Sequence, residues 1–297
     1  MDFSFTEEQV MLRDSIVRFA ASELNDDLVD RDRDEAFSRE AWRRCGQMGL
    51  LGLPAPESFG GGNADPLTCA VALEALGYAC RDGGLVFSVC AHVLACVVPV
   101  WQHGSEAQKD RFLTGLCDGT LVGAHAITEP GSGSDTFSMR TRATREADGW
   151  RLNGTKTFIS NGPVADVVVV FAVTDADKKF HGGVTAFLVE RGTPGFTAGQ
   201  KFAKMGLRTS PVGELVFDDV VLPGSAVLGT VGGGASVFQT AMEWERSLLV
   251  AAHIGTIERL LETSVKYART RSQFGQAIGK FQGVGHKVGD MKVQHGA

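Results

Sequence analysis

The sequence predicts an α+β multidomain protein in which a helical block, an antiparallel β block and a second helical block follow one another. Three observations predict it. Apolar residues recur at helical spacing through residues 1–120. Between 121 and 228 the period falls to two, with turn-forming residues between the runs. From 229 to 297 the helical period returns. A chain of 297 residues has room for two or three domains. Residues 1–120, 121–228 and 229–297 are the expected domains.

The first block opens at Thr6, whose spacing to Gln9 is that of a capping box. Val10, Leu12, Ile16, Val17, Phe19 and Ala20 then follow a helical face. Pro54, Pro56, Gly60, Gly61, Gly62 and Pro66 mark a loop between helices. The greasiest stretch, 85–100, is interrupted by His92 and is too short to span a bilayer, so it reads as a core helix. Ser105 and Gln108 repeat the capping signature ahead of Phe112, Leu113 and Leu116. In the second block, 139–146 alternates, Asp148-Gly149 is a hairpin turn, and strands are expected over 150–159, 167–173, 184–189 and 213–221. In the third, Phe238, Met242, Leu249, Ala252, Ile257, Leu260, Leu261, Val265 and Tyr267 share one long helix. A loop over 269–279 and a helix from near Phe281 follow, and the chain ends inside that pattern.

Composition narrows the function. Lys+Arg is 29 against 35 Asp+Glu, a net charge of −6, which argues against a nucleic-acid partner. The apolar share of 43% and charged share of 22% exclude wholesale disorder. The six cysteines all lie in the first 120 residues, mostly within apolar runs and without a C-x-x-C pair. They read as buried free thiols rather than disulfides or a metal site. The N-terminus has neither a basic nor an apolar leader region, so no signal peptide, no membrane association and a cytoplasmic location are expected. Residues 131–136 begin like a dinucleotide fingerprint but end on Thr136 and lead into a strand. Residues 275–280 are one residue short of a P-loop. Zinc-ligand spacings and a nucleophile elbow are missing, and no metal is expected.

The segment that holds is 126–135, Ala-Ile-Thr-Glu-Pro-Gly-Ser-Gly-Ser-Asp. Gly131 and Gly133 let backbone approach a ligand, and Thr128 and Ser134 bring hydroxyls. By composition alone a solvent loop between strands is the favoured reading. The segment closely resembles the signature of the acyl-CoA dehydrogenase flavoprotein family. Residues 154–162 (Gly-Thr-Lys-Thr-Phe-Ile-Ser-Asn-Gly), 205–208, 216–220 and 269–275 with Phe281-Gln282 resemble its further segments, in order and over essentially the whole chain. The resemblance implies an N-terminal helical domain, a middle antiparallel β-barrel and a C-terminal helical bundle. It also implies that the family continues beyond this end, so that the bundle here is incomplete.

What the resemblance implies for the site follows by position. FAD is the expected cofactor. His125, Ile127, Thr128, Gly133 and Ser134 should line one flavin segment. Phe158, Ile159 and Ser160 should pack on the isoalloxazine ring. Arg271, Phe274 and Gln282 should reach the phosphate and adenine half, often across a subunit interface. Glu245, in Met242-Glu243-Trp244-Glu245-Arg246, matches the position from which some family members take the base that removes a proton α to an acyl thioester. Otherwise it is a surface carboxylate paired with Arg246 or a neighbour. Glu243 lies about 200° round the helix from Glu245, so the two cannot both face the flavin. Ser134, Glu243, Trp244 and Arg246 are the expected substrate contacts. Residues 84–92, 207–213 and 242–246 look most like the branch acting on carrier-protein thioesters, including prolyl thioesters. The implied partners are an acyl thioester on a carrier protein or CoA, an electron-transferring flavoprotein or other acceptor, and further copies in a dimer or tetramer. A non-catalytic shortened binding subunit and a flavin oxygenase on the same fold are the rivals.

Overall fold

The computed structural model describes residues 4–296; the first three residues of the N-terminal segment and Ala297 lie outside it. The first helical block contains α1 (Glu7–Glu23), α2 (Leu28–Arg33), α3 (Arg39–Gln47), α4 (Pro66–Ala79), α5 (Gly83–His92), α6 (Val98–His103) and α7 (Glu106–Asp118). Both capping boxes form as their spacing requires, at Thr6 with Gln9 and Ser105 with Gln108. Asp65 caps α4 in the same chemical sense, accepting from the amides of Leu67 and Thr68. A π-turn over Val93–Val97 joins α5 and α6 into one rod from Gly83 to His103. This is the one helix among the described residues long and apolar enough to cross a membrane, and 83% of its most apolar window is buried inside the protein. All six cysteines are free and buried.

The middle block holds β1 (Gly123–Ala126), β2 (Arg142–Arg145), β3 (Gly149–Ser160), β4 (Val167–Val173), a kinked turn α8 (Phe180–Gly183), β5 (Val184–Glu190), β6 (Phe196–Lys201), β7 (Val212–Pro223) and β8 (Val227–Leu228). The sheet runs β6-β7-β3-β2-β4-β5-β8, with β1 also on β4. This corrects the expected antiparallel barrel on two counts. The sheet is mixed, because β1 lies parallel to β4 over four residue pairs. It is also open, because its end strands β6 and β8 do not pair with each other. A period of two fixes which face of a strand is buried; closure depends on a pairing between distant strands that no local pattern encodes.

The last block is α9 (Gly234–Thr270), a two-residue-stranded hairpin of β9 (Ser272–Gln273) and β10 (Gln276–Ala277), and α10 (Gln282–His295). The long helix is held by a close crossing with α4. A Cβ on Gly77 would lie 1.8 Å from the Ala252 carbonyl oxygen, and one on Gly255 would lie 2.0 Å from that of Glu74. Only residues without side chains permit this approach. Leu248, Ala251 and Ala252 then complete the core of the N-terminal helices.

Candidate active site

A cavity of about 940 Å³ opens where α9 passes the β1–β2 loop and the end of β3. That is the size of a cofactor or ligand site. On α9 its wall is made by Ala235, Phe238, Gln239, Met242, Glu245, Arg246, Leu249 and Val250, residues three or four apart and therefore one helical face. The loop after β1 contributes Ile127, Thr128, Gly133 and Ser134, and β1 itself His125. Phe158, Ile159 and Ser160 come from the end of β3, and Phe180 and His181 from α8.

The β3 wall is shaped by a bulge. The β3–β7 register shifts between Lys156 and Ile159, and Phe158 takes φ +56°. That left-handed conformation is unusual for an aromatic residue and turns its ring outward, 66% exposed, against Phe202 at 5.1 Å. Ile159 stays in the sheet core at 2% exposure. Gly131 and Gly133 have nothing within 4 Å of where a Cβ would stand, so the loop leaves room beside its backbone.

Glu245 is half-buried, and among the described residues no hydrogen bond or ion pair engages its carboxylate. Burial raises its pKa above the usual carboxylate value, with Arg246 pulling partly the other way. The surface pairing with Arg246 is therefore not what the structure shows. His125 is fixed differently. Pro99 has no N–H to give the Ala95 carbonyl one turn earlier. His125 Nδ1 lies 2.9 Å from that oxygen and donates to it. Its Nε2 is then an acceptor, and among the described residues it has no partner. Burial pushes the imidazole down to about 4, so it is neutral.

The structure thus gathers His125, Ile127, Thr128, Gly133, Ser134, Phe158, Ile159, Ser160, Glu245 and Arg246 around one cavity. It does not bring the other expected residues there. Glu243 is exposed and accepts from Gln239 Nε2 at 2.8 Å. Trp244 packs on the N-terminal helical core, edge-on to Trp101. Both follow from helix geometry, since each step round the helix is about 100°. Arg271, Phe274 and Gln282 are exposed on the hairpin and the start of α10. Phe274 sits at φ +52° in the hairpin turn and is 93% exposed.

Three family descriptions match successive parts of the chain: the acyl-CoA dehydrogenase N-terminal domain over 6–120, its middle domain over 124–220 and its C-terminal domain over 232–297. An L-prolyl-[peptidyl-carrier protein] dehydrogenase of Serratia sp. is 42% identical over 294 residues, which are 99% of this chain and 76% of the relative. The chain belongs to the acyl-CoA dehydrogenase family. A short-chain-specific acyl-CoA dehydrogenase of Megasphaera elsdenii is 39% identical over 298 residues, 99% of this chain and 77% of the relative. Among solved structures, the prolyl acyl carrier protein oxidase AnaB superposes with a TM-score of 0.95 at 42% identity, over 99% of this chain and 77% of that one. PigA with FAD and proline gives 0.96 at 41%, over 100% and 77%. The acyl-CoA dehydrogenase fold accounts for the order of a helical block, a mixed sheet and a second helical block.

Two further residues of this family member escaped the sequence reading. Lys156 is fully buried, 2.9 Å from Glu129. Burial pushes the lysine down to about 8 against the pull of Glu129. Burial would raise Glu129, but Lys156 and its hydrogen bonds outweigh it and hold the carboxyl below its usual range. In sequence a Lys in an alternating strand reads as solvent-facing; the bulge that follows it carries no local signal.

Proposed function

We propose that the protein is an FAD-dependent dehydrogenase that introduces an α,β double bond into an acyl thioester, with Glu245 as the base. The observation that carries this reading is Glu245 itself, a half-buried carboxyl without an ion-pair partner among the described residues, on the cavity wall with the 127–134 loop and Ser160. A base for a carbon acid needs a raised pKa, and burial against an apolar helix face supplies it.

The cavity fits the ring half of FAD by its chemistry. Ile127 and Phe158 offer apolar surface, Thr128, Ser134 and Ser160 offer hydroxyls, and His125 Nε2 is a buried acceptor without a partner among the described residues. When bound there, FAD supplies the acceptor for the hydride that leaves the β-carbon. Glu245 removes the α-proton on the other side of the bond. Ser134 and Arg246 orient the thioester-bearing arm. Arg271, Phe274 and Gln282, held on an exposed hairpin away from this cavity, serve the phosphate and adenine half in a neighbouring copy of a homo-oligomer. Residues 1–120, 121–228 and 229–297 act as three domains. An electron-transferring flavoprotein or another acceptor takes the electrons onward.

The substrate we favour is a prolyl group on a carrier protein, with acyl-CoA second. This choice is supported by the Serratia relative and by the likeness to PigA and AnaB. The test is an absorbance spectrum of the purified protein, followed by anaerobic titration with prolyl-carrier protein and, separately, butyryl-CoA. Flavin absorbance that bleaches with the prolyl thioester first is the expected result. Protein that takes up no flavin would overturn the reading.

A further inference from the structure

The side chain of Lys156 has 0% exposure. A buried ammonium is unfavourable unless it is paired, and a well-packed apolar side chain of similar volume often serves stability as well or better. What the charge does here is therefore better sought in the bonds it makes. Lys156 Nζ donates to the Ile127 carbonyl oxygen at 3.0 Å and to Glu129 Oε1 at 2.9 Å. Both acceptors belong to the loop that lines the cavity. Glu129 turns its carboxylate to two more donors, the amides of Arg140 at 2.6 Å and Thr141 at 2.9 Å, just ahead of β2. The Thr157 amide donates to the Thr128 carbonyl oxygen at 2.9 Å. Glu129 and Ser132 exchange backbone hydrogen bonds of 2.9 and 3.1 Å, closing a tight turn over Pro130 and Gly131.

The loop is thus tied from beneath to β3 and to the start of β2, while Thr128, Gly133 and Ser134 face the cavity on its other side. We infer that Lys156 and Glu129 are positioning residues: their buried pair selects the one shape of the 127–134 loop that receives the flavin. The pair gives conformational specificity rather than net stability. This rests on the FAD reading above, and the experiment separates the two.

The variant is the double exchange Lys156→Met/Glu129→Gln, which removes both charges at once. It is compared with the parent by thermal melting, by FAD affinity from quenching of flavin fluorescence on titration into apoprotein, and by amide hydrogen exchange. A melting temperature within a few degrees of the parent, FAD affinity at least about ten-fold weaker and faster exchange confined to the 127–134 loop and the Thr157 amide are expected. Parent-like affinity and exchange would overturn the inference. So would a double variant that fails to fold or exchanges faster throughout the sheet, because the pair would then be plain structural support. Parent protein that binds no FAD would refute the FAD reading alone, and the exchange comparison would still decide the role of the pair.

Discussion

Acid should destabilise this protein before its carboxylates titrate, through His92. The imidazole is fully buried. Its Nδ1 accepts from the Gly123 amide at 2.9 Å, so Nε2 carries the proton and donates to the Leu116 carbonyl oxygen at 3.0 Å. A second proton would remove the acceptor for Gly123 at the start of β1. Burial lowers the pKa from 6.5 to about 4. The folded pKa lies below the unfolded one, so the unfolded chain binds the proton first. The stability contribution is complete above pH 6.5 and is lost as the pH falls from there toward 4. A shift of 6.5 to about 4 is about 2.5 units, or about 3.4 kcal/mol at full loss. Between pH 7 and pH 5 the loss is about 2 kcal/mol, a large part of a typical stability of about 5–15 kcal/mol. His125 is displaced in the same direction and adds to it. Urea unfolding at both pH values checks this. His92→Gln keeps a donor and an acceptor but does not titrate, and its stability should change by about 2 kcal/mol less across the interval. A variant whose pH dependence parallels the parent's, or a His92 resonance titrating near 6.5 in the folded protein, would refute the reasoning.

Three further outcomes are expected. Gly77→Ala places a methyl 1.8 Å from the Ala252 carbonyl and should lower stability by about 1–3 kcal/mol or more in a thermal melt. Thr6→Ala removes the α1 capping box and should cost about 1 kcal/mol, read by the same melt. The thiols of Cys45, Cys90 and Cys96 are buried, and burial raises all three, Cys90 and Cys96 to about 12, so a thiol reagent should modify the native protein only at the rate of unfolding.

Much of the architecture was legible because its signals are local. Thr6 with Gln9, Ser105 with Gln108, and the Asp148-Gly149 turn each act within four residues. The long apolar face from Phe238 onward similarly marks α9 without outside help. The helical repeat is enough to send Glu243 and Glu245 in different directions, and the structure puts Glu245 on the cavity wall and Glu243 in solvent. What was missed depends on partners far along the chain. β1, Gly-Ala-His-Ala, has no β-branched residue and becomes a strand only by lying parallel to β4. The open edge between β6 and β8 is a matter of global pairing. The tautomer of His125 follows from its bond to the Ala95 carbonyl, 30 residues earlier in the chain. Lys156 and Glu129 are 27 residues apart and meet only because the loop folds back under β3.

The central claim is that Glu245 removes the α-proton of a thioester bound beside a flavin. Its most direct test is the rate of anaerobic flavin bleaching by prolyl-carrier protein in Glu245→Gln, measured by stopped flow against the parent. An unchanged flavin spectrum is expected, with bleaching slowed by about 10²–10⁴-fold, the usual contribution of a positioned base. Bleaching at the parental rate would contradict it and move the base elsewhere.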